Sequence, residues 1–247
     1  MRGRFLKWLL FCVIGGMVVA AAQGAVDPWR VMRGGTLYDH WIKAKGVETP
    51  AGDHPLWALQ STNTRKGTDT WRCKECHGWD YLGKDGAYGS GSHYTGFIGV
   101  LQVKDQPLAE ILAMLKGSTN PKHDFSRYLS QEDLEDLALF LKYGTVDMRL
   151  LVDYRAKKPL KAQPDLAVGR AIYRVCASCH GEQGKNINFG TADAPEYVGT
   201  LAKSNPQETL HKLLNGQPGN FVMPGMWFLS PDQLQDLLAY LQTLPEK

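Results

Sequence analysis

The pentapeptide Cys176-Ala177-Ser178-Cys179-His180 has a near-copy in the same chain, Cys73-Lys74-Glu75-Cys76-His77. Both follow the pattern C-x-x-C-H, which is typical of covalent haem attachment. Two thiols three residues apart lie on one helical turn, where both can bond to one porphyrin, and the adjoining histidine ligates its iron. We therefore predict two covalently attached haem c groups, held by Cys73 and Cys76 and by Cys176 and Cys179, with His77 and His180 as iron ligands.

Other chemistries also use paired cysteines. A C-x-x-C pair can be a redox dithiol, and two pairs can hold zinc. A thioredoxin-like dithiol would lie in a βαβ setting, which the sequence does not suggest, and a zinc site would leave both histidines unexplained. Of the five cysteines, only Cys12 lies outside the two motifs. No thiol is therefore left in the exported chain for a disulfide, a catalytic nucleophile or a cysteine iron ligand, and we predict no catalytic residues.

The first 24 residues have the features of an export signal. Arg2, Arg4 and Lys7 precede an apolar run, 8–22, and small residues follow up to Gly24. We predict a signal peptide over 1–24 and a periplasmic location. The run is shorter than the ~20 residues of a spanning helix, and an uncleaved membrane anchor is the alternative. The formal net charge is +3, so the chain without this segment is near neutral, and we expect no nucleic-acid partner.

An internal repeat indicates the domain organisation. Gly169-Arg170-Ala171-Ile172-Tyr173 leads directly to Cys176, and Gly34-Gly35-Thr36-Leu37-Tyr38 looks alike, but about thirty residues separate it from Cys73. We interpret residues 43–70 as an insertion, most simply a solvated loop, with a haem cover or a partner-binding segment as alternatives. The predicted units are an N-terminal haem domain over 25–150, a basic solvated linker over 151–165, and a C-terminal haem domain over 166–247.

Helix signals follow each motif in the same order. Glycine-rich stretches, 78–99 and 181–199, precede predicted helices over 107–115 and 206–214, each with proline first and glycine after its end. The last helices begin after the N-caps Ser130 and Ser230, and Gln233 completes a capping box for the second. Their leucine stripes predict packing of each last helix across the haem-bearing helix.

The register of the repeat predicts the second iron ligands. Met223 precedes Pro224 in the loop before the last helix, and its thioether sulfur is a soft ligand that raises the potential. Met226 is the alternative candidate for this iron ligand. Aligning Leu129-Ser130 with Leu229-Ser230 places His123 at the position of Met223. His93 is the weaker alternative, and the same alignment puts Met114 inside a helix.

These motifs resemble those of class I cytochromes c. The C-terminal unit fits throughout, whereas the N-terminal unit fits from Trp71 onward and departs by its insertion and by histidine in place of methionine. The domain organisation of the whole chain is similar to that of the tandem dihaem cytochromes of the cytochrome c4 group. The resemblance implies an all-α fold with two tandem class I cytochrome c domains, the first with a long insertion, and electron transfer in the periplasm.

Two function classes fit this resemblance. The first is an electron carrier that takes electrons from a dehydrogenase or a quinol-side donor and passes them to a higher-potential acceptor, with redox proteins as partners. The second is a dihaem oxidoreductase, either a peroxidase or a sulfur-compound dehydrogenase, or else the cytochrome subunit of a periplasmic dehydrogenase. We favour the carrier, because an enzyme needs an exchangeable iron position or a special ligand, and thiosulfate dehydrogenases typically use a cysteine ligand.

Overall fold

A computed structural model describes residues 26–219 and 223–247 of the chain. About half of the chain is helical, which agrees with the predicted all-α class. The α-helices of the described part are α1 (Pro28–Lys45), α2 (Cys73–His77), α3 (Leu108–Leu115), α4 (Gln131–Leu139), α5 (Leu166–His180), α6 (Val198–Ser204), α7 (Pro206–Asn215) and α8 (Pro231–Leu241). One small antiparallel hairpin joins β1 (Val152–Asp153) to β2 (Lys158–Pro159).

Short turns connect these helices. Within the described residues, six are 3₁₀ turns, at Trp57–Leu59, Gly67–Trp71, Gly91–His93, Leu101–Asp105, Pro121–His123 and Met148–Leu150. A π-helical turn over Phe140–Gly144 continues α4. The long helix α1 contains a kink at His40, whose backbone is not helical. Most of the chain between α1 and α3 is irregular, and backbone hydrogen bonds, such as that from the Gly83 N–H to the His77 carbonyl at 2.8 Å, help to hold it in place.

Each half of the chain contains a close crossing of two helices. A Cβ atom at Gly34 in α1 would overlap the backbone carbonyl of Asp136 in α4, and a Cβ at Gly169 in α5 would overlap that of Asp236 in α8. Glycine is needed at both positions because the backbones approach too closely for a side chain. The predicted packing of the last helix across the haem-bearing helix is thus seen for α8 and α5, whereas α4 crosses α1 rather than the separate helix α2.

A second contact recurs in both halves. The Tyr38 hydroxyl donates to the Gly78 carbonyl at 2.7 Å, and the Tyr173 hydroxyl donates to the Gly181 carbonyl at the same distance. Both glycines directly follow a C-x-x-C-H motif and have positive φ angles of 78° and 79°. The tyrosine of the repeat therefore ties its helix to the end of the motif, even where residues 43–70 intervene.

The predicted caps and leucine stripes are present. Ser130 and Ser230 cap α4 and α8, and both leucine stripes are buried. The prediction missed that Asp133 completes a capping box in α4 as well. It was also wrong by one residue at α3, where Pro107 is the N-cap and Leu108 is the first helical residue.

The solvated-loop interpretation of residues 43–70 is wrong. Its first three residues belong to α1, and His54, Trp57, Asn63 and Thr70 are buried. The Asn63 amide donates to the Glu75 carboxylate at 3.0 Å, within the first C-x-x-C-H motif. The insertion therefore packs on the helix that carries the motif.

The segment 151–165 also differs from the predicted solvated linker. It holds the β1–β2 hairpin, and Lys161 forms an ion pair with Asp236 at 2.8 Å. The Lys157 ammonium donates to the Ser204 carbonyl at 2.7 Å, and the Gln242 amide donates to the Lys157 carbonyl at 2.7 Å. The segment thus lies against the C-terminal helices.

The two halves meet through a buried polar junction. His211 of α7 is fully buried, and its Nε2 donates to the Gly35 carbonyl at 3.1 Å while its Nδ1 accepts from the Tyr81 hydroxyl at 2.9 Å. Beside it, Lys212 pairs with Asp39 of α1 at 2.8 Å. Because buried polar groups without partners are costly, these bonds define how α7 lies on α1.

No helix within residues 26–219 and 223–247 is long and apolar enough to cross a membrane. The predicted signal peptide, 1–24, lies outside the described residues.

Candidate haem sites

A cleft lies beside the first C-x-x-C-H motif. Its walls come from the motif, from the insertion and from the loop before α4. The lining residues are His54, Leu56, Thr70, Trp71, Arg72, Cys73, Cys76, His77, Phe97, His123 and Phe125. Both motif cysteines, the motif histidine and the predicted second ligand His123 are therefore brought together at one place.

His77, the last residue of α2, is oriented by a backbone carbonyl. Its Nδ1 is 2.7 Å from the Ile98 carbonyl oxygen, which can only accept, so Nδ1 carries the proton and Nε2 keeps its lone pair. Burial, together with a smaller contribution from the nearby His123, lowers the pKa of His77 to about 4. The ring is thus neutral at pH 7, the form in which histidine ligates a metal.

His123 lies across the cleft from His77. It ends the 3₁₀ turn Pro121–His123, and its ring centroid is 6.2 Å from that of His77. Two imidazoles that share one metal ion span about this distance, since each metal–nitrogen bond is ~2 Å. Burial lowers the pKa of His123, with an opposing contribution from a backbone hydrogen bond to Met114. The pair has the spacing and the protonation state of two axial ligands.

His93, the alternative ligand, does not line this cleft. It stacks on Tyr88 with ring centroids 4.4 Å apart, and its Nδ1 is 3.3 Å from the Glu75 carboxylate. Its Nε2 is 3.0 Å from the Arg65 guanidinium. Both ring nitrogens of His93 therefore already have polar partners in these neighbours.

The cysteines of the first motif are free thiols in the structure. Burial raises the pKa of Cys73 to about 12 and also raises that of Cys76, with Cys73 adding to the effect. Redox dithiols have the opposite property, because their surroundings stabilise a thiolate. Within the described ranges, no group of three His, Cys, Asp or Glu side chains has an arrangement that could hold a metal ion.

The second motif lies at the end of α5. Cys176 and Cys179 are partly buried and exposed, respectively, and the helix ends at His180. The Nδ1 atom of His180 is buried and has no hydrogen-bond partner among the described residues, and burial lowers the pKa of the ring. His180 thus adjoins two thiols, but, unlike His77, it has no partner among the described residues that orients its ring.

Met223 and Met226 differ in their surroundings. Met226 is buried in the hydrophobic core, and its N–H donates to the Leu213 carbonyl at 2.6 Å. Packing in the core is therefore sufficient to explain the position of Met226, without a bond to iron. Met223 is half-buried and directly follows residues 220–222, which the structure does not describe. Its backbone carbonyl lies against Gly216, the positive-φ residue that ends α7.

Sequence reasoning missed His54. This residue of the insertion is 6% exposed and lines the cleft, with its ring centroid 6.3 Å from that of His123. It packs against Trp71 and stacks on Phe125. No motif or spacing marks it in the sequence, since the repeat has no counterpart for residues 43–70.

Residues 166–245 match the family model of Cytochrome c. The matched range, about a third of the chain, runs from the start of α5 past the end of α8 and contains the second motif and Met223. It supports a class I cytochrome c domain with covalently bound haem c and a haem-based electron-transfer function. No curated protein and no solved structure matched the chain.

Proposed function

We propose that this protein is a periplasmic dihaem cytochrome c that transfers electrons, with two tandem haem domains. The observation that carries the proposal is the first cleft, where Cys73, Cys76, His77 and His123 meet outside the range that matches Cytochrome c. The recurrence of the glycine crossing and of the tyrosine–glycine bond supports a second domain of the same kind.

Each residue of the proposed sites has a distinct task. Cys73 and Cys76 would hold one haem covalently, and Cys176 and Cys179 would hold the other. His77 and His123 would ligate the first iron, and His180 and Met223 would ligate the second. A bound haem supplies a one-electron couple between ferric and ferrous iron. The Ile98 carbonyl keeps the proton of His77 on Nδ1 and thereby presents Nε2 to the cleft. The buried part of the lining, Thr70, Trp71 and Phe125, would contribute an apolar surrounding that helps to set the potential of a bound haem.

The ligand sets give the direction of electron flow. The N-terminal site offers two histidines, whereas Met223 would supply a soft sulfur that favours reduced iron and raises the potential. With haem bound at both sites, electrons would enter at the Cys73–Cys76 site and leave from the Cys176–Cys179 site toward a higher-potential acceptor. The donor is a dehydrogenase or a quinol-side protein, and both partners are redox proteins.

Mass spectrometry of the denatured protein, purified from an exporting host, tests the proposal. We expect a chain that begins near Ala25 and carries two haems, with one haem on each C-x-x-C-H peptide after proteolysis. A potentiometric titration should then resolve two one-electron steps. A single haem, or a haem on the second motif alone, would refute the dihaem assignment, and a mature chain that begins at Met1 would refute export with cleavage.

A further inference from the structure

Tyr81 differs from the other buried tyrosines in the partner of its hydroxyl. Within the described residues, the buried tyrosine side chains are those of Tyr38, Tyr81, Tyr88 and Tyr173. The hydroxyls of Tyr38 and Tyr173 donate to peptide carbonyls, and that of Tyr88 has no hydrogen-bond partner there. The Tyr81 hydroxyl is 2.9 Å from the imidazole of His211. Among these four side chains, Tyr81 is therefore the one with a titratable base at its hydroxyl.

The second ring nitrogen of His211 determines where the protons of this pair lie. Its Nε2 is 3.1 Å from the Gly35 carbonyl oxygen, which can only accept, so Nε2 carries the ring proton. Its Nδ1 keeps a lone pair and accepts the hydrogen bond from Tyr81. Burial is the largest cause of the low pKa of His211, about 4, so the ring is neutral at pH 7. Tyr81 thus has an unprotonated acceptor already in place.

The backbone of Tyr81 is strained at the position where it presents this ring. Its φ angle is 64°, in the left-handed region that a bulky side chain rarely adopts. The residue is nevertheless 0% exposed, and its carbonyl accepts from the N–H groups of Val100 and Leu101 at 2.7 and 3.0 Å. Such outliers persist where the surroundings over-determine them, and they cluster at functional sites. The fold therefore holds Tyr81 in an unfavourable conformation with its hydroxyl on His211.

A base at the hydroxyl decides whether a buried phenol can be oxidised. An electron can tunnel out of a buried ring, but the proton that an oxidised phenol releases needs an acceptor within hydrogen-bond reach. The Tyr38 hydroxyl donates to the Gly78 carbonyl, which does not take up a proton near neutral pH. The rings of Tyr38 and Tyr81 lie 5.4 Å apart, centroid to centroid. Of these two neighbouring rings, Tyr81 is the one that can lose an electron and a proton together.

We propose that Tyr81 is a redox-active tyrosine, which a strong one-electron oxidant, such as a peroxide-derived radical, converts to a neutral tyrosyl radical while His211 takes up the proton. The O–H bond of Tyr81 breaks, an N–H bond forms at Nδ1 of His211, and the electron passes to the oxidant. A one-electron reductant reverses the step, and the proton returns to the phenolic oxygen. The step requires no haem and therefore does not depend on the proposed function.

Flash photolysis of ruthenium tris(bipyridine) with persulfate supplies the oxidant to the whole purified protein, which is oxidised beforehand with ferricyanide. High-field electron paramagnetic resonance after rapid freezing should show a tyrosyl radical whose g-tensor carries the shift of a hydrogen bond. The radical should form more slowly in deuterium oxide, because the proton moves with the electron. Tyr81→Phe should remove this signal. His211→Gln keeps a hydrogen-bond acceptor but no base, and it should lose most of the signal as well.

Tyr38→Phe is the matched control, because Tyr38 is as buried as Tyr81 but donates to a carbonyl. It should leave the signal, its g-tensor and the isotope effect unchanged. Circular dichroism checks the fold of each variant, and the wild-type g-tensor tests the inference without any variant. Absence of a radical in the wild type, a g-tensor without the hydrogen-bond shift, or a signal that Tyr81→Phe retains would overturn it. The haem count of the same preparation tests the proposed function separately.

Discussion

The two halves of the chain reach similar local geometry by different routes. In the C-terminal half, Tyr173 and the second motif share the continuous helix α5. In the N-terminal half, α1 ends at Lys45 and the motif begins a separate five-residue helix at Cys73. Both tyrosines nevertheless bond to the glycine after their motif. Continuity of the helix is therefore not what positions the motif; the bond from tyrosine to glycine and the glycine crossing are the features that both halves share.

The halves also differ in how much protein surrounds each motif. Eight residues of α1 are buried, including Trp41 and Tyr38, whereas only Gly169 and Tyr173 are buried in α5. Near the first motif, His77 donates to Ile98, while the Nδ1 atom of His180 has no partner among the described residues. The C-terminal half should therefore depend more strongly on its haem for stability.

Loss of haem attachment should show this difference most clearly. The double change Cys176→Ala/Cys179→Ala should remove one haem and most of the helical signal of the C-terminal half, since the ring is a large part of its small core. Cys73→Ala/Cys76→Ala should remove the other haem but retain most of the helicity of the N-terminal half. Haem content and far-ultraviolet circular dichroism measure both effects, and equal losses of helicity would contradict the comparison.

Exchange of the distal ligands tests the assignment of His123 and Met223. His123→Met should raise the lower potential by on the order of tenths of a volt, and Met223→His should lower the upper one by a similar amount, because axial ligands are a major determinant of haem potentials. The potential of the other haem should change little in each case. A redox titration provides the measurement. If His123→Met leaves both potentials unchanged, His123 is not the ligand.

The junction between the halves should respond to acid through His211. Burial is the main reason that its pKa falls to about 4, below the ordinary ~6.5 of histidine. Its contribution to stability is complete above pH 6.5 and is lost as the pH falls toward 4, because only the unfolded state binds the proton there. His211→Gln should reduce this loss by up to about 3 kcal/mol. Urea unfolding of both proteins between pH 6.5 and pH 4 measures this difference in the free energy of unfolding. If the free energies of the two proteins fall in parallel as the pH is lowered, the prediction is contradicted.

The smallest effect should come from the two tyrosines. Tyr38→Phe and Tyr173→Phe each remove one hydrogen bond, at a cost of about 0.5–1.5 kcal/mol, because each glycine carbonyl keeps a backbone N–H donor, that of Tyr81 at 3.4 Å or that of Gly184 at 3.0 Å. The cost should be greater for Tyr38, whose bond is buried, than for Tyr173, whose bond is partly buried. Urea unfolding compares the two variants. A change in only one of them would mean that the recurring bond has different roles in the two halves.

Local patterns were sufficient for much of the architecture. The C-x-x-C-H motifs, the helix ends near Leu115 and Asn215, and the stripes of α4 and α8 depend on contacts between residues a few positions apart, which a sequence displays directly. The register between the halves also predicts the place of His123, opposite His77, because equivalent loops precede equivalent N-caps. The identity of the ligands and the presence of two haems stay predictions.

Only the tertiary structure could place the insertion and the junction. His54 enters the first cleft because Thr70, Trp71 and Phe125 hold it there, and none of these contacts follows a helical or strand period. The same holds for His211, which meets Gly35 across a sequence separation of 176 residues. The sequence by itself thus determined which local elements form and which motif each half carries. Long-range packing decided which distant side chains complete each site, because the free energy of burying a polar group depends on partners that sequence spacing does not reveal.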